Sequence, residues 1–202
     1  MIKAIVLDIG GVLLRTEDQT SRKKLEKKFD LSPGSAHDLV FNSEPSHLST
    51  IGLVGSEAIW QHVAKQLSLS VQALEKFKHE FWLGDHLDHA LIRFLQECRS
   101  QYKTALLSNA WIGARETFSK KYGIQEGKTV EKILISSELG VKKPDSKIYK
   151  ILSNTIECKF SEILFIDDFI ENVQAAKALG MTTIHYHGGI NLIHEIKLKL
   201  NE

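Results

Sequence analysis

Five short stretches of the chain, residues 2–7, 104–107, 132–135, 162–166 and 182–186, are dominated by apolar and β-branched side chains. None alternates cleanly between apolar and polar positions, as expected of strands covered on both faces of a parallel sheet. Between them the apolar spacing switches to the helical period. Leu91, Phe94, Leu95 and Cys98 form one stripe, and Ile148, Ile151, Leu152 and Ile156 a second. Val173, Ala176 and Leu179 form a third, stopped by Gly180, and Ile193, Ile196 and Leu200 close the chain. Strand and helix alternate from about residue 90 onward, which predicts an α/β fold with a doubly wound, five-stranded parallel sheet of Rossmann-like form.

Residues 16–88 follow another rule. They carry no convincing strand but several helical stripes. Ile59, Trp60, Val63, Ala64 and Leu67 recur at helical spacing behind Gly55-Ser56, where Ser56 is the expected N-cap. Leu74, Phe77 and Phe81 mark a second helix, and the charged stretch 21–29 a third. The predicted organisation is a core of residues 1–15 plus 89–202 with a helical cap of residues 16–88 inserted after the first strand. The cap's Trp60, Phe77, Phe81 and Trp82 read as its own core rather than as a substrate cage, and Trp111 as a packing residue or a shaper of the neighbouring site.

Composition narrows the function classes. The chain has 202 residues, 43% of them hydrophobic and 25% charged, with 26 Lys+Arg against 25 Asp+Glu and a net charge of +1. That balance excludes binding to nucleic acid through phosphate attraction alone. The apolar run at the N-terminus is broken at Asp8 and is too short to span a bilayer, so a cytoplasmic protein without membrane contact is expected. Cys98 and Cys158 match no metal or redox spacing, consistent with a reducing compartment.

Ligands of open parallel sheets bind beyond the C-terminal ends of the strands, so the residues that follow each strand carry most information. The first strand ends at Asp8, the second at Ser108-Asn109 and the fourth at Asp167-Asp168; Lys143 stands in the loop after the third. A carboxylate can attack phosphorus and hold a covalent phosphoryl group. Neighbouring acids repel one another, and a hard divalent cation relieves that repulsion. A hydroxyl can hold a phosphoryl oxygen, and a lysine supplies fixed positive charge. The set suits phosphoryl transfer. The adjacent acids could otherwise serve as helix caps, and Ser108-Asn109 as a turn.

Four motifs, Asp8-Ile9-Gly10-Gly11-Val12, Leu106-Leu107-Ser108-Asn109, Gly140-Val141-Lys142-Lys143-Pro144-Asp145 and Phe165-Ile166-Asp167-Asp168, occur in that order. Together they resemble the haloacid dehalogenase-like hydrolase superfamily over about residues 2 to 187. The nearest branch holds small phosphatases with a helical cap, including glucose-1-phosphatase-like proteins and the N-terminal phosphatase domain of soluble epoxide hydrolases. The resemblance implies a Mg²⁺-dependent phosphatase of a small phosphorylated metabolite, such as a sugar phosphate. Within it, Asp8 corresponds to the nucleophile and a magnesium ligand, and Asp168 to a second ligand. Ser108 and Asn109 correspond to phosphate binders, Lys143 to the catalytic lysine and Asp167 to a residue orienting Lys143 or a metal-bound water.

One position departs from the pattern. The family commonly places a second Asp, serving as general acid and base, two residues after the nucleophile; here Gly10 stands there, retaining only the backbone carbonyl that also ligates magnesium. Loss of such acid–base help costs on the order of 10²- to 10⁴-fold in rate. Either the leaving group needs little protonation, as in an anomeric or acyl phosphate, or a cap residue supplies the proton, with His37, His47, His62 and His86 as candidates by type. The same departure leaves three other readings open. These are metal-independent 2-haloacid dehalogenation, phosphonate cleavage through a cap lysine such as Lys65, and a binding protein without turnover.

Overall fold

The computed structural model describes residues 1–201. In chain order its strands are β1 (Ala4–Leu7), β2 (Leu14–Thr16), β3 (Asp85–Leu87), β4 (Lys103–Ser108), β5 (Lys132–Ile135), β6 (Ile163–Asp167) and β7 (Thr182–His185). Helices α1 (Thr20–Lys28), α2 (Ser35–Phe41), α3 (Glu44–Thr50), α4 (Glu57–Gln66) and α5 (Val71–Phe81) lie between β2 and β3. The remaining helices are α6 (His89–Cys98), α7 (Ala114–Tyr122), α8 (Ser136–Leu139), α9 (Ser146–Thr155), α10 (Ile170–Ala178) and α11 (Leu192–Leu200). None is long and apolar enough to cross a membrane.

The main sheet is parallel throughout, in the order β5-β4-β1-β6-β7, with the wholly buried β1 at its centre. Successive side chains point to opposite faces. Ile5 and Leu7 therefore pack with Leu91, Leu95 and Ile196 on one side, while Ala4 and Val6 meet Tyr149, Leu152 and Phe165 on the other. Two apolar faces explain why these strands show no polar alternation. The five expected strands are all present, with ends shifted by at most two residues.

Leu25, Ala36, Val40, Ile59, Val63, Phe77 and Phe81 form a third cluster among α1, α2, α4 and α5. Trp60 and Trp82 pack against this cluster partly buried, and so does Trp111 from the loop after β4. The expectation of no strand within residues 16–88 fails at one place. β2 and β3 pair antiparallel where the chain leaves and re-enters the main layer. With three residues each and no β-branched run, the pair rests on cross-strand contacts: Thr16 Oγ1 donates to Asp85 Oδ1 at 2.6 Å, and Asp88 N–H to the Leu13 carbonyl at 2.9 Å. Ser56 is also not the expected side-chain cap. Its backbone is already helical and its side chain makes no cap hydrogen bond, because the Gly55 and Ser56 carbonyls accept from Ala58 and Ile59. Both cysteines are free; Cys158 is buried and Cys98 half-buried.

A buried ion pair joins the ribbon to the helices. Arg22 Nη2 meets Asp85 Oδ1 at 3.0 Å, with side-chain exposures of 7% and 6%, and Arg22 Nε donates to the Phe81 carbonyl at 3.1 Å. The guanidinium carbon lies 4.2 Å from the Phe81 ring centroid. Removing one partner of such a pair leaves an uncompensated buried charge. Asp85→Ala should therefore destabilise the protein by about 3–5 kcal/mol in urea unfolding, whereas Lys120→Ala, which breaks the exposed Lys120–Glu116 pair, should cost under about 1 kcal/mol.

Candidate functional site

Connections run from β1 outward through β4 to β5 on one side, and the chain then crosses back to β6 and β7 on the other. The sheet thus has its topological switch point at β1, where a crevice opens beyond the strand ends. Asp8 follows β1, Ser108 ends β4 and Asp167 ends β6. Parallel register carries Leu7 opposite Leu106 and Ile166, so these three strand ends lie side by side.

Lys143 enters from the loop between α8 and α9 and is 2% exposed. All three of its ammonium contacts are made inside the protein: Asp167 Oδ2 at 2.7 Å, the Leu107 carbonyl at 2.7 Å and Asp8 Oδ1 at 3.0 Å. Asp167, wholly buried, is fully engaged, because its Oδ1 also accepts from Phe169 N–H and Asn172 Nδ2, each at 2.9 Å. Its Oδ2 accepts from the Lys143 ammonium. Asp8 Oδ1 additionally accepts the Ile9 N–H at 2.6 Å, so the hydrogen bonds to this carboxylate fall on Oδ1 rather than Oδ2.

Asp168 behaves differently from its neighbour. Its Oδ1 is buried and makes no hydrogen bond, so it does not cap α10. Oxygens of Asp8, Asp167 and Asp168 lie within 4.8 Å of one another. Burial pushes the Asp8 carboxyl up to about 7, with Asp167 and Asp168 adding to the shift and Lys143 opposing it. Burial and Asp167 push Asp168 up to about 6. Burial works against the Lys143 ammonium, yet Asp8 and Asp167 outweigh it and hold its pKa raised. Three carboxylates against one ammonium leave an excess of negative charge and an orphaned buried oxygen. A hard divalent cation satisfies both, so these residues fit one.

Two glycines shape the opening. A Cβ on Gly11, whose φ is +75°, would lie 2.0 Å from Asp168 Oδ2, so no larger residue allows this approach of the acid. Gly10 is exposed, and a Cβ built there would meet nothing within 4 Å. Ser108 is buried, and its hydroxyl bonds to none of the described residues, which leaves it available to a ligand. Asn109 turns both ends of its amide to the Lys143 main chain, accepting from N–H and donating to C=O at 2.9 Å each. Sequence reasoning missed Asn172 and His185. Asn172 also receives the Tyr149 hydroxyl at its carbonyl, and His185 Nε2 lies 2.9 Å from the Asp168 carbonyl. Asn172 stands five residues after Asp167, on the first turn of the following helix, a spacing that could have drawn notice. The cap candidates do not reach the cluster. His37, His47 and His86 are exposed, His62 is half-buried, and none shares a hydrogen bond or ion pair with Asp8, Lys143 or Asp168. Lys65 is exposed on α4.

The model of one protein family, haloacid dehalogenase-like hydrolase, matches residues 2–180. The chain belongs to this family of hydrolases. Among curated relatives of these hydrolases, a D-ribitol-5-phosphate phosphatase from Bacteroides thetaiotaomicron is 26% identical over 219 residues, covering 100% of both chains. Bifunctional epoxide hydrolase 2 of Mus musculus is 26% identical over 98 residues, 48% of this chain but only 18% of its own length. The chain thus spans less than a fifth of that relative, and 34% of the drimenol cyclase drtB of Aspergillus calidoustus. A solved structure of a HAD family enzyme from Bacteroides thetaiotaomicron, in complex with magnesium and inorganic phosphate, superposes with a TM-score of 0.77 at 20% identity, covering 96% of this chain and 99% of the other. That likeness concerns the fold.

The raised acids make a signed prediction for this hydrolase. An acid with a raised folded-state pKa contributes stability at low pH that is lost as pH rises through that value. The metal-free protein should therefore lose thermal stability between about pH 4, where these acids ionise in the unfolded chain, and about pH 7, with Asp168 and then Asp8 ionising in the folded one. A cation needs the ionised acids, so the rise in Tm on adding Mg²⁺ should be larger at about pH 8 than at about pH 5. Calorimetry with and without Mg²⁺ measures both effects, and Asp168→Asn should shrink the difference.

Proposed function

We propose that the chain is a Mg²⁺-dependent phosphatase that hydrolyses a small phosphorylated metabolite through an aspartyl-phosphate at Asp8. The observation that carries this reading is the buried Lys143 bridging Asp8 and Asp167, beside the unpartnered oxygen of Asp168. Phosphatases among the relatives support it, including the sesquiterpene phosphatase astK of Aspergillus oryzae (24% identical over 199 residues).

In this reading Asp8 uses the oxygen free of Lys143 to attack phosphorus. Lys143 and the Ile9 N–H hold the carboxylate in one orientation, so little is lost in aligning it for displacement. The Lys143 ammonium, anchored by Asp167 and the Leu107 carbonyl, keeps a fixed positive charge where negative charge gathers on the phosphoryl oxygens. Ser108 donates its hydroxyl to one of those oxygens. Asn109 fixes the backbone of Lys143 rather than touching phosphate. Bound by Asp8, Asp168 and the Gly10 carbonyl, Mg²⁺ would supply charge that offsets the repulsion between the acids and the phosphate.

Metal-free dehalogenation gains no support from the site, since it has no use for the orphaned Asp168 oxygen. Nor does a binding protein without turnover need the Asp8–Lys143–Asp167 bridge. A screen of phosphorylated metabolites with Mg²⁺, read by phosphate release, tests the proposal. Activity should vanish on chelation and in Asp8→Asn. Lys143→Met should lower kcat on the order of 10²- to 10³-fold, the range seen when one stabiliser of transition-state charge is lost. Equal phosphate release by Asp8→Asn and the unaltered protein would overturn the reading.

A further inference from the structure

Among the described residues, the acids and bases around Asp8 include none left free to protonate a departing oxygen. Lys143 directs its ammonium at Asp8, Asp167 and the Leu107 carbonyl. Asp167 has both oxygens engaged. Asp168 belongs to the cation site proposed above. His185 faces the Asp168 carbonyl through Nε2 and stands beside His187 at the edge strand β7. The cap histidines share no contact with the cluster, and His37 Nδ1 lies instead 3.4 Å from Arg22 Nη1. At Gly10 the chain offers open space and no side chain. Its φ lies outside the left-handed region, so the backbone would accept an L residue there. Nothing steric forbids an acid; it is simply not present.

Resting on the phosphatase reading, we propose that this enzyme transfers the phosphoryl group without a general acid, and that its substrates are phosphates carried on a weakly basic oxygen. Acyl, enol and phenolic phosphates share that chemistry; phosphates of simple alcohols do not. Asp8 forms the new P–O bond while the old one breaks, and the electron pair leaves on the departing oxygen as a carboxylate, enolate or phenolate. Water then attacks phosphorus and Asp8 departs as carboxylate; one of the water's protons stays on the released hydrogen phosphate and the other passes to solvent or to the departed oxyanion. Neither step calls for a proton from the protein. An alkoxide, with a conjugate acid several units weaker, would have to leave with its full charge unrelieved. Reaction with such esters should therefore be slow in proportion to leaving-group basicity.

The test is a series of substituted phenyl phosphates, with acetyl phosphate, phosphoenolpyruvate and an alkyl phosphate alongside, all assayed with Mg²⁺. In the unaltered protein, log kcat/KM should fall steeply along the phenyl series as the phenol becomes more basic. The alkyl phosphate should be slower than the fastest substrate by about 10³-fold or more. Whether acetyl phosphate, phosphoenolpyruvate or a phenyl ester is fastest identifies the preferred source of the weakly basic oxygen. In Gly10→Asp the slope should flatten, and the alkyl phosphate should gain on the order of 10²-fold. A flat series with Asp8-dependent turnover would overturn this inference and leave the phosphatase reading standing. No Asp8-dependent release from any substrate, acetyl phosphate included, would overturn the phosphatase reading itself. The slope in the unaltered protein decides the matter even where Gly10→Asp fails to fold.

Discussion

The site depends on one buried ammonium. Lys143 sits where water cannot solvate it, at the meeting of three strand ends, and burying an unpaired charge there would cost several kcal/mol. Its compensation comes from Asp8, Asp167 and the Leu107 carbonyl, each delivered by a different strand of the sheet. The order β4-β1-β6 is therefore an electrostatic requirement as well as a packing result. If any of the three strands shifted by one residue, its side chains would turn to the opposite face and the lysine would lose a partner.

The same arrangement makes the site unstable in a useful direction. One lysine cannot neutralise three acids, and Asp167 takes the shorter of its two carboxylate contacts. Burial first, and the neighbouring acids after it, hold the Asp8 and Asp168 carboxyls far above the usual range despite Lys143. Gly11 sharpens this by letting Asp168 approach the first loop closer than any side chain would permit. Structure of this kind holds charge apart from its counter-charge, and folding energy gained in the two apolar layers maintains it.

Much of this was legible in the residues because the main sheet is buried on both faces. Continuous apolar runs located all five strands, and the polar residues that interrupt each run at its C-terminal end were by position the ones gathered at the switch point. What stayed hidden was held by contacts between residues distant in sequence. The pairing of β2 with β3 follows from Thr16, Arg22 and Asp85, which lie up to 69 positions apart and show no strand pattern. Helix α7 has no fully buried residue, and its stripe of Ala114, Phe118 and Tyr122 packs against the core only partly buried. Asn109 was read by its residue type beside Ser108, and only the fold reveals that Lys143 main chain lies within reach of its amide. Asn172 and His185 act on the acids through single hydrogen bonds that no local pattern announces.

The loop that follows Ser108 joins the helical layer to the sheet. Three residues beyond Ser108, the Trp111 ring stacks on Phe41 at 5.2 Å and meets Trp60 and Trp82 edge-on at 6.3 Å. Its indole N–H donates to Ser46 Oγ at 2.9 Å. Beside it, Ser136 Oγ donates to the Thr50 carbonyl at 2.6 Å while accepting the Ala110 N–H at 3.0 Å. Helix α3 is thus fastened near both ends to residues 110–111, by the indole hydrogen bond at Ser46 and the Ser136 hydroxyl bridge at Thr50. Lifting α3 from the sheet edge would break both contacts and expose the Trp111 ring, so the helical layer and the Ser108 loop are constrained to move together. The residues directly after Ser108 are thus positioned by the helical layer, although Ser108 itself ends β4 of the sheet.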